Sequence, residues 1–177
     1  MINKVILITG VSSGLGKAFV TGSFNHLKRG NIVVGLGRNK TGNIKNKKYL
    51  FLKLDLRDQQ SIKDAVGKII MRFGRIDVLI NSAGLGYRGT IEDLSLAEIK
   101  DQFEVNLFGP LYLIQQVLPI MRKQKSGHII NVGSVGSVVS TPTLGYYAAT
   151  KAALDKISEV LSQEVQKYNI KVSIFVP

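Results

Sequence analysis

A chain of 177 residues is long enough for one domain, spanning 1–177, to bury roughly 70% of its unfolded surface, so the core needs no staples. With no cysteine and only two histidines, His26 and His128, far apart in sequence, neither a disulfide framework nor a thiolate metal site is available, and no metal is expected. The net charge of +12 is uneven: ten basic and no acidic residues precede Asp55, against fourteen basic and twelve acidic from there on.

No helix-turn-helix or aromatic-plus-basic pattern accompanies that basic half, so nucleic acid is not an expected partner. A solvated lysine-rich surface or a pocket for an anionic cofactor are the readings left. No secretory signal and no run of about 18 apolar residues is present, which predicts a cytoplasmic chain without a membrane partner.

In chain order, the first strand is "VILIT" (5–9), and it runs directly into "TGVSSGLG" (9–16) and a helix. A sharp glycine turn there can bring Thr9, Gly10, Ser12, Ser13, Gly14, Leu15 and Gly16 against a pyrophosphate at a helix N-terminus. A glycine-rich turn without a ligand is the alternative, disfavoured by the position between first strand and first helix. The second strand, "NIVVGL" (31–36), is followed by Arg38, where an acidic residue would select an unphosphorylated ribose. A guanidinium there can hold a 2′-phosphate by a charge-assisted pair, so NADP(H) is preferred over NAD(H); a solvated surface arginine is the bland alternative.

A polar loop (38–48) leads to the third strand, "YLFLKL" (49–54), and a helix over 58–73 whose apolar positions recur at helical spacing. The fourth strand, "IDVLI" (76–80), ends in "NSAG" (81–84). A long helix is predicted over 101–122, with Pro110 and Pro119 near its start and end, and it contains Asn106. The fifth strand, "HIINV" (128–132), precedes Ser134. Another helical pattern covers 154–168, and the sixth strand is "KVSIFV" (171–176). Near-continuous apolar strands alternating with amphipathic helices predict a doubly wound parallel α/β sheet of Rossmann type.

The chemistry gathers around "GYYAATK" (145–151). Tyr147 and Lys151 are four apart, so on a helix they share a face, while Tyr146 is rotated about 100° away. A free phenol, with a pKa near ~10, is a poor acid–base group at neutral pH unless a neighbouring ammonium stabilises the phenolate. Ser134 stands thirteen residues before Tyr147, at a strand end where ligands of open α/β sheets bind. Each residue also has an ordinary reading: a turn serine, a strand-capping Asn81, or Asn106 bonded to backbone.

Together, "TGVSSGLG", Asp55, "NSAG", Asn106, Ser134 and "YAATK", in this order and spacing, resemble the short-chain dehydrogenase/reductase family over essentially the whole chain. The usual N-N-A-G of that family is here N-S-A-G. The resemblance implies an oxidoreductase moving a hydride between NADP(H) and a carbonyl or secondary alcohol, with strand order 3-2-1-4-5-6. It implies Tyr147 as general acid or base, Lys151 tuning Tyr147 and holding nicotinamide ribose hydroxyls, Ser134 polarising the substrate oxygen, and Asn106 positioning a relay water. Asp55, Asn81 and Ala83 are implied on the cofactor's adenine side, and Leu56 and Gly84 as further cofactor-binding residues. Pairing into a homodimer or homotetramer is implied through helices at about 101–122 and 148–168.

The family's seventh strand and substrate-covering segment have no counterpart before Pro177, which predicts a longer native chain and leaves strand six as an apolar edge. A non-catalytic dinucleotide-binding or interaction protein that retains the fold is the alternative function.

Overall fold

A computed structural model describes residues 4–27, 30–39, 44 and 47–177. Six strands form: β1 (Val5–Thr9), β2 (Ile32–Gly37), β3 (Tyr49–Lys53), β4 (Val78–Asn81), β5 (Gly127–Val132) and β6 (Ile170–Phe175). They make one parallel sheet in the order β3-β2-β1-β4-β5-β6. Parallel pairing demands crossovers, and four of the five are supplied by α1 (Gly14–Leu27), α2 (Gln59–Phe73), α4 (Gly109–Gln124) and α5 (Gly145–Val165), the fifth joining β2 to β3. The predicted doubly wound Rossmann-type sheet is therefore the observed one. Most of the predicted polar loop at 38–48 lies outside the described residues.

Apolar side chains on successive strand positions feed two cores, because both faces of the sheet are covered. On one face Leu7, Leu79 and Ile129 pack with Ile62 and Ile69 of α2, Leu113 and Met121 of α4, and Val165 of α5. On the other, Ile8, Val33 and Val132 pack with Val20 of α1. Each fully buried Leu, Ile or Val contributes about 1.5–3 kcal/mol by leaving water.

Helix ends follow their local chemistry. Asp58 caps α2 by accepting from Gln60 N at 2.8 Å, and Gly74 closes it in the left-handed conformation. α3 (Leu96–Phe103) starts with a reciprocal capping box between Ser95 and Glu98. The predicted helix over 101–122 is divided: α3 ends, a π-turn spans Glu104–Phe108, and α4 follows. Pro110 sits in the first turn of α4, where its missing N–H costs nothing, and Pro119 lies inside the helix on its exposed side. α5 begins at Gly145, ahead of the predicted 154–168 pattern, because Ala148, Ala149, Ala152 and Ala153 carry no bulky apolar stripe to reveal it.

A buried polar chain crosses the middle of the sheet. Asn81 Nδ2 donates to Asn131 Oδ1 at 2.8 Å, Asn131 Nδ2 donates to Ser158 Oγ at 2.7 Å, and Ser158 Oγ donates to Leu154 O at 2.6 Å. At the opposite strand ends, Asp77 accepts from Val5 N at 2.8 Å and pairs with Arg75. Among the described residues β6 is an edge strand, with Phe175 partly exposed. The strand order reverses between β1 and β4, so their carboxyl ends open a crevice where ligands of such sheets bind.

Candidate active site at the carboxyl edge of the sheet

The crevice is a cavity of about 490 Å³, within the roughly 300–1,000 Å³ usual for small-molecule and cofactor sites. Its floor is the turn after β1. Gly10 has φ of +73°, and a Cβ there would lie 2.6 Å from Ala83 Cα; a Cβ on Gly16 would lie 2.3 Å from Gly10 O. No larger residue fits either position, and their close packing folds the turn down onto the end of β4. Thr9 Oγ1 ties the same two strand ends together by accepting from Ser82 N and Ala83 N, both at 3.0 Å.

Thr9, Gly10, Ser12, Ser13, Gly14, Leu15 and Gly16 all line the cavity, as do Arg38, Asp55, Leu56, Ala83, Gly84, Tyr147 and Lys151. Asn81 does not. Expected on the adenine side, it is buried within the sheet against Asn131, its register partner, and the adjacent Ser82 takes the wall position. Asn81 is the last residue of β4, still inside the sheet, whereas Ser82, Ala83 and Gly84 lie beyond the strand end, where the crevice opens.

Asn106, also absent from the cavity wall, is buried in the π-turn. Its Oδ1 accepts from Leu85 N at 2.9 Å, and its Nδ2 donates to Leu85 O at 2.8 Å and Thr150 Oγ1 at 3.2 Å. Both side-chain donors are thus engaged in fastening the segment after β4 to α5.

Tyr147 and Lys151 sit in the first two turns of α5. The Lys151 Nζ lies 5.9 Å from the centre of the Tyr147 ring and donates to Val132 O at 2.8 Å. Lys151 is 4% exposed. That burial pushes its ammonium pKa down, and Asp155, one turn along the helix, opposes the shift. The Tyr147 ring stands between two glycines: a Cβ on Gly86 would be 3.5 Å from Cδ2, and one on Gly136 would be 3.8 Å from Cε1. Its hydroxyl makes no hydrogen bond among the described residues and is open to the cavity side. Ser134, like Asn106, is not on the cavity wall; its Oγ accepts from Gly136 N at 3.1 Å and lies 3.4 Å from a Cβ built on Gly136, the glycine beside the Tyr147 ring. Tyr146 takes a different task, donating its hydroxyl to Ile91 O at 2.9 Å.

The residues present suit a dinucleotide. α1 opens at the glycine turn with no acidic residue in its first turn, so its free amides and partial positive charge meet no internal carboxylate. Exposed Ser12 and Ser13 add hydroxyls, and Arg38, exposed and without an ion pair among the described residues, adds a cation. Among the described residues no cluster of His, Asp or Glu could hold a metal, and no helix is long and apolar enough to cross a membrane.

Sequence reading missed several neighbours of this site. Gly86 and Gly136 matter for what they lack beside a ring, and Val132 contributes only its carbonyl. Arg57, which lines the cavity two residues after Asp55, had the run "DLRD" as its only signal.

The model of the short chain dehydrogenase family matches residues 4–177. The chain is 41% identical to a 3-ketodihydrosphingosine reductase of Bacteroides thetaiotaomicron over 98% of its own length and 63% of that protein. It is 34% identical to dehydrogenase/reductase SDR family member 7B of Mus musculus over 99% of its length and 57% of that protein. It thus spans less than two thirds of the length of these two relatives. A short-chain dehydrogenase from Streptomyces avermitilis superposes with a TM-score of 0.92 at 35% identity, covering 98% of this chain and 65% of that one. A metagenomic short-chain oxidoreductase in complex with NADP superposes with a TM-score of 0.88 at 26% identity, covering 98% and 81%.

Proposed function

The chain belongs to the short-chain dehydrogenase family, and from that premise we propose that it is an NADP(H)-dependent oxidoreductase acting on a carbonyl or secondary alcohol. The observation that carries this reading is a single cavity walled at one end by the glycine turn and at the other by Tyr147 and Lys151. Bound there, the dinucleotide supplies or accepts the hydride; the protein orients the substrate and handles the proton.

Tyr147 is the proton donor in reduction and the acceptor in oxidation, and its hydroxyl has no competing partner among the described residues. Lys151 is held in place by the Val132 carbonyl, and its charge favours the phenolate that Tyr147 becomes after proton transfer. The Ser134 Oγ already accepts from Gly136 N, which leaves its own O–H free to donate to the substrate oxygen. Asn106 keeps the wall beside Tyr147 in place, because both its side-chain donors are committed. Replacing Tyr147 with Phe should lower kcat by about 10²–10⁴-fold and leave the NADPH dissociation constant within about twofold. Turnover at the wild-type rate would refute the assignment, and cofactor binding measured alongside separates lost chemistry from a lost fold.

Arg38 supports the phosphorylated cofactor, as does the NADP held by one structural neighbour. Arg38→Ala should weaken NADPH by about tenfold or more and NADH hardly at all, the difference a charge-assisted phosphate pair makes. Equal losses for the two cofactors in a titration would count against the preference.

An apolar ketone or alcohol is part of the same reading: Val135, Val138 and Val139 follow Ser134, and Ile91 lies against the start of α5; all four are exposed, Val138 by 85%. The name of the Bacteroides relative, 3-ketodihydrosphingosine reductase, supports a ketone. Pairing of two chains through α5 is part of the same reading, supported by Ile157 and Val160, both exposed along one side of that helix.

A further inference from the structure

Arg57 lies on the loop after β3, at the end of the cavity formed by Asp55 and Leu56. Its guanidinium is held by its edge. Nε and Nη2 both donate to the Asp101 carboxylate, the latter at 2.9 Å, and Nη1 donates to Asp55 Oδ1 at 3.3 Å. Asp101 is fixed in turn from the loop after β4, where Tyr87 donates its hydroxyl to Oδ2 at 2.9 Å and its backbone N–H to the buried Gln102 at 2.6 Å. A planar cation fastened by a bidentate fork on one side and a second carboxylate on another has lost its freedom to rotate.

This arrangement narrows what Arg57 can offer a ligand. Two carboxylates already surround its one charge, so an additional phosphate gains little from it, in contrast to Arg38, which makes no ion pair among the described residues. The in-plane donors are mostly spent. What remains is the flat face of the guanidinium, which suits an aromatic ring. The neighbouring Asp55 carboxylate is an acceptor suited to an exocyclic amine, and Leu56 adds apolar surface.

We propose that Arg57 is a base-binding residue of the cofactor site, stacking its edge-locked guanidinium on the adenine ring, with Asp101 and Tyr87 as its positioning residues. The proposal rests on the dinucleotide reading above and adds a stacking partner for the base, which that reading already places beside Asp55.

The test is binding rather than turnover. Dissociation constants for NADPH, ADP-ribose and reduced nicotinamide mononucleotide are measured by calorimetry for the wild type, Arg57→Ala and Arg57→Lys. Arg57→Ala is expected to weaken NADPH and ADP-ribose by the same factor, about tenfold, in keeping with loss of one base-stacking partner. The mononucleotide, which has no adenine, should bind unchanged. Arg57→Lys keeps the charge without the plane and should recover less than half of that loss on a logarithmic scale. Hypochromism of the adenine absorption band on ADP-ribose binding should appear in the wild type and diminish in Arg57→Lys, a signal that a purely structural arginine would not alter. ADP-ribose binding within twofold of wild type in Arg57→Ala, or full recovery in Arg57→Lys, would overturn the stacking role alone. A wild-type protein that binds neither NADPH nor ADP-ribose would overturn the dinucleotide reading beneath it.

Discussion

Lys151 is almost wholly buried, and the acceptor it meets is a neutral carbonyl, that of Val132, so its charge depends on more distant help. Asp155 supplies that help from the next turn of α5, packed beneath Gly133, where a Cβ would come within 2.9 Å of its Oδ1. The sign follows directly: burial lowers the lysine pKa, Asp155 raises it, and removing Asp155 lowers it further. Asp155→Asn should therefore move the alkaline limb of the kcat/KM profile to lower pH, with Asp155→Glu restoring it. An unmoved limb in the Asn variant would show that Lys151 does not depend on this carboxylate. At this scale the sequence separates the two adjacent tyrosines well, since a four-residue spacing on a helix needs no tertiary knowledge. It does not reveal the glycines on either side of the Tyr147 ring, because both come from other loops.

The loop after β4 owes its shape to the elements around it. Tyr87 and Gln102 fasten it to α3, Asn106 fastens it to the π-turn, and Gly89 N donates to Thr143 O at 3.1 Å. Asp101 joins α3 to both Tyr87 and Arg57, and the hydrogen bond from Arg57 chiefly holds its carboxyl at about 2, below the usual 3.8. A depressed carboxylate stabilises the fold fully above its unfolded pKa and loses that contribution as pH falls towards the folded value. Asp101→Asn should accordingly cost about 1 kcal/mol in urea unfolding at pH 5–7, allowing for partial solvent screening, and the gap to wild type should close between pH 4 and pH 2. A gap that stays constant over that range would remove the electrostatic explanation. Elements with bulky apolar stripes, such as α2, were legible from spacing alone, whereas the start of α5 and the break at Glu104–Phe108 were not. An alanine-rich turn has no stripe to count, and the helical pattern runs on across a π-turn.

Across the whole molecule, the parallel sheet was readable because strands buried on both faces are apolar throughout, whereas the strand order followed from the family resemblance and not from the strands themselves. The glycine turn and the Tyr147–Lys151 pair, which line one cavity, stand out for a related reason: each is a local string. The side-chain partner of Asn81, Asn131, is fifty residues away, and nothing local announces the pairing. That same pair has a consequence for how the chain reaches its fold. β4 and β5 are short apolar strands, and a neighbouring alignment one residue out of step would satisfy their hydrophobic side chains nearly as well. It would also strand two amides in a dry interior, at several kcal/mol for unmade hydrogen bonds. Asn81, Asn131 and Ser158 therefore tie the register of β4 and β5 to hydrogen bonds that a slipped sheet would lose.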